Sequence, residues 1–176
     1  MSAVDTAREQ AVWAALAAVP DPELPALSVV DLGVVGSVRA GPEAVRVELL
    51  PTFVGCPAVE LMRAAVAERL AGMAPRVEVA VSFAEPWTSD RITAEGRRKL
   101  RASGIAPPGP AAADAAAGDG GAPRPLFETI TVRPTARCPW CGSAETRLEN
   151  PFGPTLCRAI WWCDACRQPF EQFKTV

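Results

Sequence analysis

The sequence contains no histidine among its 176 residues. This absence excludes Ser-His-Asp and Cys-His nucleophile pairs, histidine-based catalytic zinc sites and the Glu-x-x-His pairs of di-iron bundles. A metal ion bound by side chains would have to be held by cysteine, aspartate or glutamate. The composition therefore argues against self-contained hydrolytic or oxygenase chemistry.

The sequence also lacks long apolar segments and an export signal. Its first five residues contain neither a basic start nor an apolar stretch, and no apolar run approaches the roughly 20 residues that cross a bilayer. We therefore expect a cytoplasmic protein without a membrane partner. In a reducing compartment the six cysteines would be metal ligands or free thiols rather than disulfides.

The charges give no indication of a nucleic-acid partner. The net charge is −2, whereas nucleic-acid-binding domains are usually basic. One segment, residues 91–101, is rich in arginine and lysine, but acidic residues slightly outnumber basic ones over residues 1–106, so we interpret it as a solvated helix face. From Cys138 onward four basic residues are balanced by four acidic ones, which argues against a nucleic-acid ribbon.

Four of the six cysteines form two Cys-x-x-Cys pairs, which are separated by twenty-one residues: Cys138 with Cys141, and Cys163 with Cys166. This spacing is typical of a closed tetrahedral zinc site, in which the metal holds a small domain together. Four thiolates suit iron as well as zinc. The alternatives are four unrelated thiols or two disulfides. Cys157 is the odd cysteine of this region, and we expect a packed thiol or a neighbour of the metal site rather than a ligand.

A stretch rich in proline, glycine and alanine, residues 107–125, divides the chain. We interpret it as a flexible linker between a first domain, residues 1–106, and a second domain, residues 126–176. The second domain is small enough that a metal must substitute for a large core. We predict that it is β-rich, with a strand over residues 129–133, a turn at residues 152–154, and aromatic side chains covering the second Cys-x-x-Cys pair.

For the first domain the patterns predict an α/β or α+β fold, a three-stranded sheet with helices on one side. Alternation of Val45, Val47 and Leu49 with charged residues indicates a half-buried strand. The other predicted elements are a helix over residues 2–19, apolar strand-length runs over residues 28–33 and 34–39, a helix from Pro57 to about Met73, a strand over residues 77–83, and a helix capped by residues 88–90 that reaches Arg101.

Cys56 lies directly before Pro57, a residue that suits the first position of a helix. We therefore predict that Cys56 is at the helix cap, where unpaired N–H groups and the helix dipole favour a thiolate. From spacing alone, a reactive or metal-binding cysteine and a small buried corner residue are equally good interpretations. For Asp21 and Glu23, in the turn Asp21-Pro22-Glu23-Leu24-Pro25, the residue types favour turn chemistry.

The order of these motifs resembles two related families. The first domain resembles the domain of SufT-like iron–sulfur cluster assembly factors in three segments. They are the turn at Asp21, the run Val30-Asp31-Leu32-Gly33-Val34-Val35 and the run from Leu50 to Pro57. With three further segments, nearly the whole chain is similar to the D (or J) subunits of phenylacetyl-CoA epoxidase systems. These segments are Cys138-Pro139-Trp140-Cys141-Gly142, Phe152-Gly153-Pro154-Thr155-Leu156-Cys157 and Cys163-Asp164-Ala165-Cys166-Arg167.

This resemblance implies a non-catalytic, accessory role in a multicomponent ring 1,2-epoxidase of aerobic phenylacetate degradation, so we expect that the chain is not itself an enzyme. In such systems the di-iron oxygenase and the flavin/iron–sulfur reductase are separate subunits, and the D subunit is expected to help mature a metal centre of a partner, above all the reductase. The resemblance implies that Cys56 is the iron- or cluster-handling thiol, with Thr52, Asp21 and Glu23 in the same region. Phe53-Val54 stands where many relatives carry Tyr-Ser, which removes two hydroxyls beside Cys56.

Two functional hypotheses follow from the resemblance. In the first, Cys56 transiently holds iron or an iron–sulfur cluster while the ribbon docks the partner. A single cysteine per chain is too few for a cluster, so a cluster there would need a homodimer or outside ligands. In the alternative, both domains are a non-catalytic zinc-ribbon interaction scaffold of the same complex, and Cys56 is structural.

Overall fold

The computed structural model describes residues 3–53, 55–109 and 136–175. Two compact units are present, Met1–Ser103 and Gly104–Val176. Most of the predicted linker, residues 107–125, and the predicted strand over residues 129–133 lie outside the described residues. Within the described residues no helix is both long and apolar enough to cross a bilayer.

The first unit is an α/β unit built on a three-stranded sheet. In chain order its elements are α1 (Ala3–Leu16), β1 (Val35–Ala40), β2 (Ala44–Leu49), α2 (Val59–Leu70), β3 (Arg76–Val81), a 3-10 helix (Ser89–Arg91) and α3 (Ala94–Ala102). The strand order is β1-β2-β3. The β1 and β2 strands are antiparallel neighbours in a hairpin, whereas β2 and β3 are parallel, and α2 supplies the crossover that parallel neighbours require.

The core of this unit lies between the sheet and the first two helices. Val45, Val47 and Leu49 are buried, and the charged residues between them lie on the opposite side of β2. Helix α1 contacts β1, α2 contacts β3, and the two helices contact each other, so both cover the same face. The predicted three-stranded sheet with helices on one side is confirmed.

The predicted strand over residues 28–33 is wrong, because these residues form turns. Ser28 makes one isolated bridge with Pro20, and Gly33 adopts a positive φ of 66° that ends the run. Val29 and Leu32 are nevertheless buried, at 0% and 2% exposure. An apolar run that is buried in a turn has the same composition as a buried strand, which explains the misassignment.

The third helix also begins later than the sequence predicts. Residues 89–91 form the short 3-10 helix, and α3 starts at Ala94 with Thr93 as its N-cap. The Thr93 hydroxyl oxygen accepts the Gly96 N–H at 2.9 Å. At the other end of the unit, α1 ends at Leu16, three residues before the predicted boundary.

The buried carboxylate of Asp31 joins the turn after α1 to α3. Its Oδ2 accepts the Ser28 N–H at 2.8 Å, the Ser28 hydroxyl at 2.9 Å and the Lys99 ammonium at 2.6 Å. Burial raises the pKa of Asp31, but the hydrogen bonds from Lys99 and Ser28 outweigh it, so the pKa lies below its usual value. The Asp31 carbonyl also accepts the Thr93 N–H, which fixes the start of α3.

The second unit is a four-stranded sheet with strand order β4-β7-β6-β5. Its strands are β4 (Ile105–Ala106), β5 (Thr146–Asn150), β6 (Arg158–Cys163) and β7 (Gln168–Phe173). The β5, β6 and β7 strands are antiparallel neighbours, and β4 pairs with β7 in parallel. Because of this pairing, residues 104–106 belong to the second compact unit, whereas the predicted domain boundary follows residue 106.

One small aromatic core holds the second unit together. Trp161 and Phe170 lie opposite each other on β6 and β7, and their rings stack with centroids 6.4 Å apart. Three alanines and three cysteines complete this core: Ala106, Ala136, Ala159, Cys138, Cys163 and Cys166. The predicted β-rich character of the C-terminal region is confirmed.

Candidate metal centre

The two Cys-x-x-Cys pairs form turns of the same geometry. The Gly142 N–H donates to the Cys138 carbonyl at 2.9 Å, and the Arg167 N–H donates to the Cys163 carbonyl at 2.8 Å. Gly142 and Arg167 both adopt the left-handed conformation, with φ of 75° and 59°. Each turn therefore directs two sulfurs to the same side of its loop, as a Cys-x-x-Cys metal knuckle requires.

The structure brings the four predicted ligand sulfurs together. The Sγ atoms of Cys138 and Cys166 are 3.6 Å apart, those of Cys141 and Cys163 are also 3.6 Å apart, and all four lie within 4.8 Å of one another. A tetrahedral ion with metal–sulfur bonds of about 2.3 Å would place its sulfurs about 3.8 Å apart. The donor set and its spacing therefore fit one zinc or iron ion.

The cluster is buried on one side and open on the other. Cys163 and Cys138 are 0% and 2% exposed and pack into the aromatic core. Cys166 is half-buried and Cys141 is exposed. An ion held by all four thiolates would have no open position for a substrate, which is the arrangement of a structural site.

The thiols of the cluster differ in acidity. Hydrogen bonds, first from the Cys166 backbone N–H and then from the neighbouring thiols, lower the pKa of Cys163 to about 7. Burial and the same neighbours raise the pKa of Cys166 to about 12. Binding of a metal would displace protons from thiols that remain protonated at neutral pH, so metal retention weakens as the pH falls.

Arg167 is a feature of this site that the sequence reasoning missed. It occupies the same position after its cysteine pair as Gly142 does after the first pair, and this equivalence could have revealed it. A non-glycine residue in the left-handed region costs about 1 kcal/mol. Within the described residues it is the one non-glycine residue with a positive φ.

We predict that Arg167→Gly raises the free energy of unfolding of the metal-loaded second unit by about 1 kcal/mol. Glycine removes the β-carbon that makes the left-handed conformation costly. Urea unfolding followed through the near-ultraviolet signal of Trp161 measures the change. Arg167→Ala is the matched control, because it also removes the guanidinium but keeps the β-carbon. Equal stability of the two variants would contradict the prediction.

Cys56 is buried, at 7% exposure, but it is not at the cap of α2. The helix begins at Val59 with Ala58 as its N-cap. The Cys56 N–H donates to the Phe53 carbonyl at 3.3 Å, and the Cys56 carbonyl accepts the Val59 N–H at 3.3 Å. The predicted cap position is wrong because residues 57–58 form a turn before the helix starts, and the dipole argument for a thiolate loses its basis. A role of this thiol in handling iron stays a prediction.

The remaining predicted site residues lie in local structure. The Oδ1 atom of the buried Asp21 accepts the N–H groups of Glu23 at 2.9 Å and of Leu24 at 2.7 Å, a turn of the kind that the residue types predict. Glu23 and Thr52 are half-buried. A common site for these three residues and Cys56 stays a prediction.

Cys157 is buried, with its Sγ 3.1 Å from the Thr155 hydroxyl oxygen. It precedes β6, whereas Cys163 ends that strand. At a rise of about 3.3 Å per residue the two cysteines are about 20 Å apart. This separation favours the interpretation of Cys157 as a packed thiol over a neighbour of the metal site.

Comparisons with known proteins assign both parts of the chain. Residues 9–83 match the family described as iron–sulfur cluster assembly protein, and residues 122–174 match the PaaD zinc beta ribbon domain. A protein of Escherichia coli (strain K12), assigned provisionally as the D subunit of a 1,2-phenylacetyl-CoA epoxidase, is 36% identical over 94% of this chain and 92% of its own length. The chain belongs to this family of epoxidase D subunits.

A solved structure supports the fold of the first unit of this D-family chain. The crystal structure of a domain of unknown function, DUF59, from Bacillus anthracis matches with a TM-score of 0.52 and 29% sequence identity. The match covers 55% of this chain and 94% of that one. Three expectations from the sequence motifs are confirmed. The chain belongs to the D subunit family, its first domain is of the iron–sulfur assembly type, and its second domain is of the zinc-ribbon type.

Proposed function

We propose that this protein is an accessory component of a phenylacetyl-CoA epoxidase system in aerobic phenylacetate degradation. It assists the maturation of a metal centre of a partner subunit, and the iron–sulfur cluster of the flavin-dependent reductase is the foremost candidate. The observation that carries the proposal is the combination, in one chain, of an iron–sulfur assembly domain with the ribbon of the D subunits. The absence of histidine agrees with an accessory subunit that is not itself the oxygenase, and we propose that this subunit is cytoplasmic.

In this proposal the four ribbon cysteines hold a structural zinc ion. The 3.6 Å separation of two sulfur pairs, the distances of at most 4.8 Å among all four sulfurs and the burial of Cys138 and Cys163 support a closed tetrahedral site. Four thiolates would also accept iron. Anaerobic purification with metal analysis and an absorption spectrum distinguishes the two. A colourless protein with one zinc per chain is the expected result, and a coloured protein whose metal is iron would contradict the zinc assignment.

Cys56 is the residue that we propose to handle iron or a transient cluster. Substitution Cys56→Ser is expected to leave the chain folded, because serine differs from cysteine mainly in one atom, and to lower the iron content of the partner reductase at least several-fold. The measurement is iron per reductase chain, with epoxidase activity as a second readout, in a strain that carries only the variant gene. Cys157→Ser is the matched control, since Cys157 is also buried and outside the four-sulfur cluster.

The second candidate, a scaffold that binds the subunits without handling metal, has one observation in its favour. Cys56 is 7% exposed and lies in a turn before α2, as a structural corner residue would. If a Cys56→Ala variant restores full growth on phenylacetate and full reductase iron, the scaffold replaces the maturation role.

A further inference from the structure

The loop between β5 and β6, residues 151–157, presents two large apolar side chains to solvent. Phe152 is 66% exposed and Leu156 is 57% exposed. Three aromatic side chains of the same unit, Trp161, Phe170 and Phe173, are at most 4% exposed, whereas Phe152 is even more open than Trp140, which is 57% exposed. We name the surface formed by Phe152 and Leu156 the apolar loop tip.

Hydrogen bonds on both sides hold the apolar loop tip in one conformation. The Phe152 N–H donates to the Asn150 side chain at 2.9 Å, and the Gly153 N–H donates to the Arg158 carbonyl at 2.9 Å. A β-carbon at Gly153 would lie 3.0 Å from that carbonyl group, so the loop approaches the β6 backbone closely. Because the loop is already ordered, binding through it costs little conformational entropy.

Lys174 links the Phe152 ring to the backbone of Leu156 and adds a positive charge. Its ammonium donates to the Leu156 carbonyl at 2.8 Å and lies 5.4 Å from the centre of the Phe152 ring. Within the described residues no carboxylate pairs with it, whereas the nearby Arg158 is paired with Glu171 at 2.7 Å and Arg147 with Glu149 at 2.7 Å. The apolar loop tip is therefore bordered by one cation that pairs with no carboxylate among the residues the structure describes.

We propose that the apolar loop tip is the surface through which this chain docks a partner protein, whose contact surface is an apolar pocket with a carboxylate at its rim. The inference rests on the proposed function, because it takes the partner to be a subunit of the same epoxidase system. Exposed apolar side chains that lie together on an ordered loop form the kind of surface patch that marks a protein-interaction site. The Lys174 ammonium favours an anionic rim.

The test uses the full-length, metal-loaded chain and the purified reductase and oxygenase subunits of the same epoxidase, with affinities measured by calorimetry. The double variant Phe152→Ala with Leu156→Ala is expected to bind its partner about 100-fold more weakly, as loss of two hot-spot side chains does. The matched control is Phe83→Ala with Leu61→Ala, which removes the same side chains at positions 61% and 63% exposed in the first unit. The control should bind like the unmodified chain.

Charge reversal gives a second arm. Lys174→Glu should weaken binding more than Lys174→Gln, because only the first places like charges together at the rim. Equal effects of the two, or an unchanged affinity of the double variant while the unmodified chain binds, would overturn the docking surface and leave the proposed function intact. If the unmodified chain binds neither subunit, the proposed function fails together with the inference.

Two other occupants are outcomes of the same experiment. Sedimentation of the chain alone tests a second copy, and flotation with vesicles of phosphatidylcholine and phosphatidylglycerol tests a lipid surface. A dimer that dissociates in the double variant, or vesicle binding that the double variant loses, would overturn the proposal in favour of that occupant. Sedimentation as a monomer and absence of vesicle binding are the expected results.

Discussion

Replacement of Cys163 by serine is expected to abolish metal binding by the second unit and to unfold it. Cys163 is fully buried and contributes one of the four sulfurs, so serine removes a ligand and leaves a hydroxyl in the aromatic core. In small domains of this kind the metal supplies about 10–16 kcal/mol of apparent binding free energy, which is also folding free energy. Within the described residues, the core beside the cluster contains two large side chains, Trp161 and Phe170, and otherwise alanine and cysteine.

Metal per chain, measured by elemental analysis, and the near-ultraviolet signal of the tryptophans check this expectation. The variant should retain no stoichiometric metal, and the signal of Trp161 and its neighbours should collapse. Cys157→Ser is the control, because that thiol is buried but outside the cluster, and it should keep one metal per chain. A Cys163→Ser protein with full metal content and an unchanged spectrum would show that these sulfurs do not hold the fold together.

The second large effect is expected in the first unit, where Asp31→Ala should lower the free energy of unfolding by about 3 kcal/mol. The substitution leaves the Lys99 ammonium without its carboxylate and the Ser28 N–H without its acceptor. Urea unfolding followed by the fluorescence of the buried Trp87 measures the loss. Glu95→Ala is the control, since its ion pair with Arg98 is exposed and exposed pairs contribute less than about 1 kcal/mol. Similar losses for the two variants would contradict the role of burial.

The lowered pKa of Asp31 also fixes the direction of a pH effect. The folded unit binds the proton of this carboxyl more weakly than the unfolded chain does. The contribution of Asp31 to stability is therefore complete above its unfolded pKa of about 4, and it is lost as the pH falls through the lower folded value. Asp31→Asn should remove this part of the acid destabilisation, while leaving the unit less stable at neutral pH.

The features that depend on strict spacing could be predicted from the sequence. The alternation at Val45, Val47 and Leu49 identifies β2, because one face of a half-buried strand must be apolar. The two Cys-x-x-Cys pairs identify the sulfur cluster, because this spacing lets one tight turn direct two thiols to the same ion. Neither inference needs knowledge of distant contacts.

The errors arose where tertiary contacts override local pattern. Residues 28–33 form turns because the Asp31 carboxylate binds Ser28 and Lys99. Lys99 is 68 residues away in the sequence, so the pattern of neighbouring residues does not reveal this contact. The error at Cys56 is local instead: residues 57–58 form a turn before α2, and proline suits a turn as well as the first position of a helix. The two-residue strand Ile105–Ala106 is defined only by its pairing with β7, more than 60 residues later.

The most direct test of the maturation role is the iron content of the reductase subunit purified anaerobically from cells that lack the gene for this protein. The reductase should contain its polypeptide and flavin but only a small fraction of its iron, and supply of the gene should restore the iron to the normal level. Full iron in the reductase from the deletion strain would contradict the proposed role in metal-centre maturation.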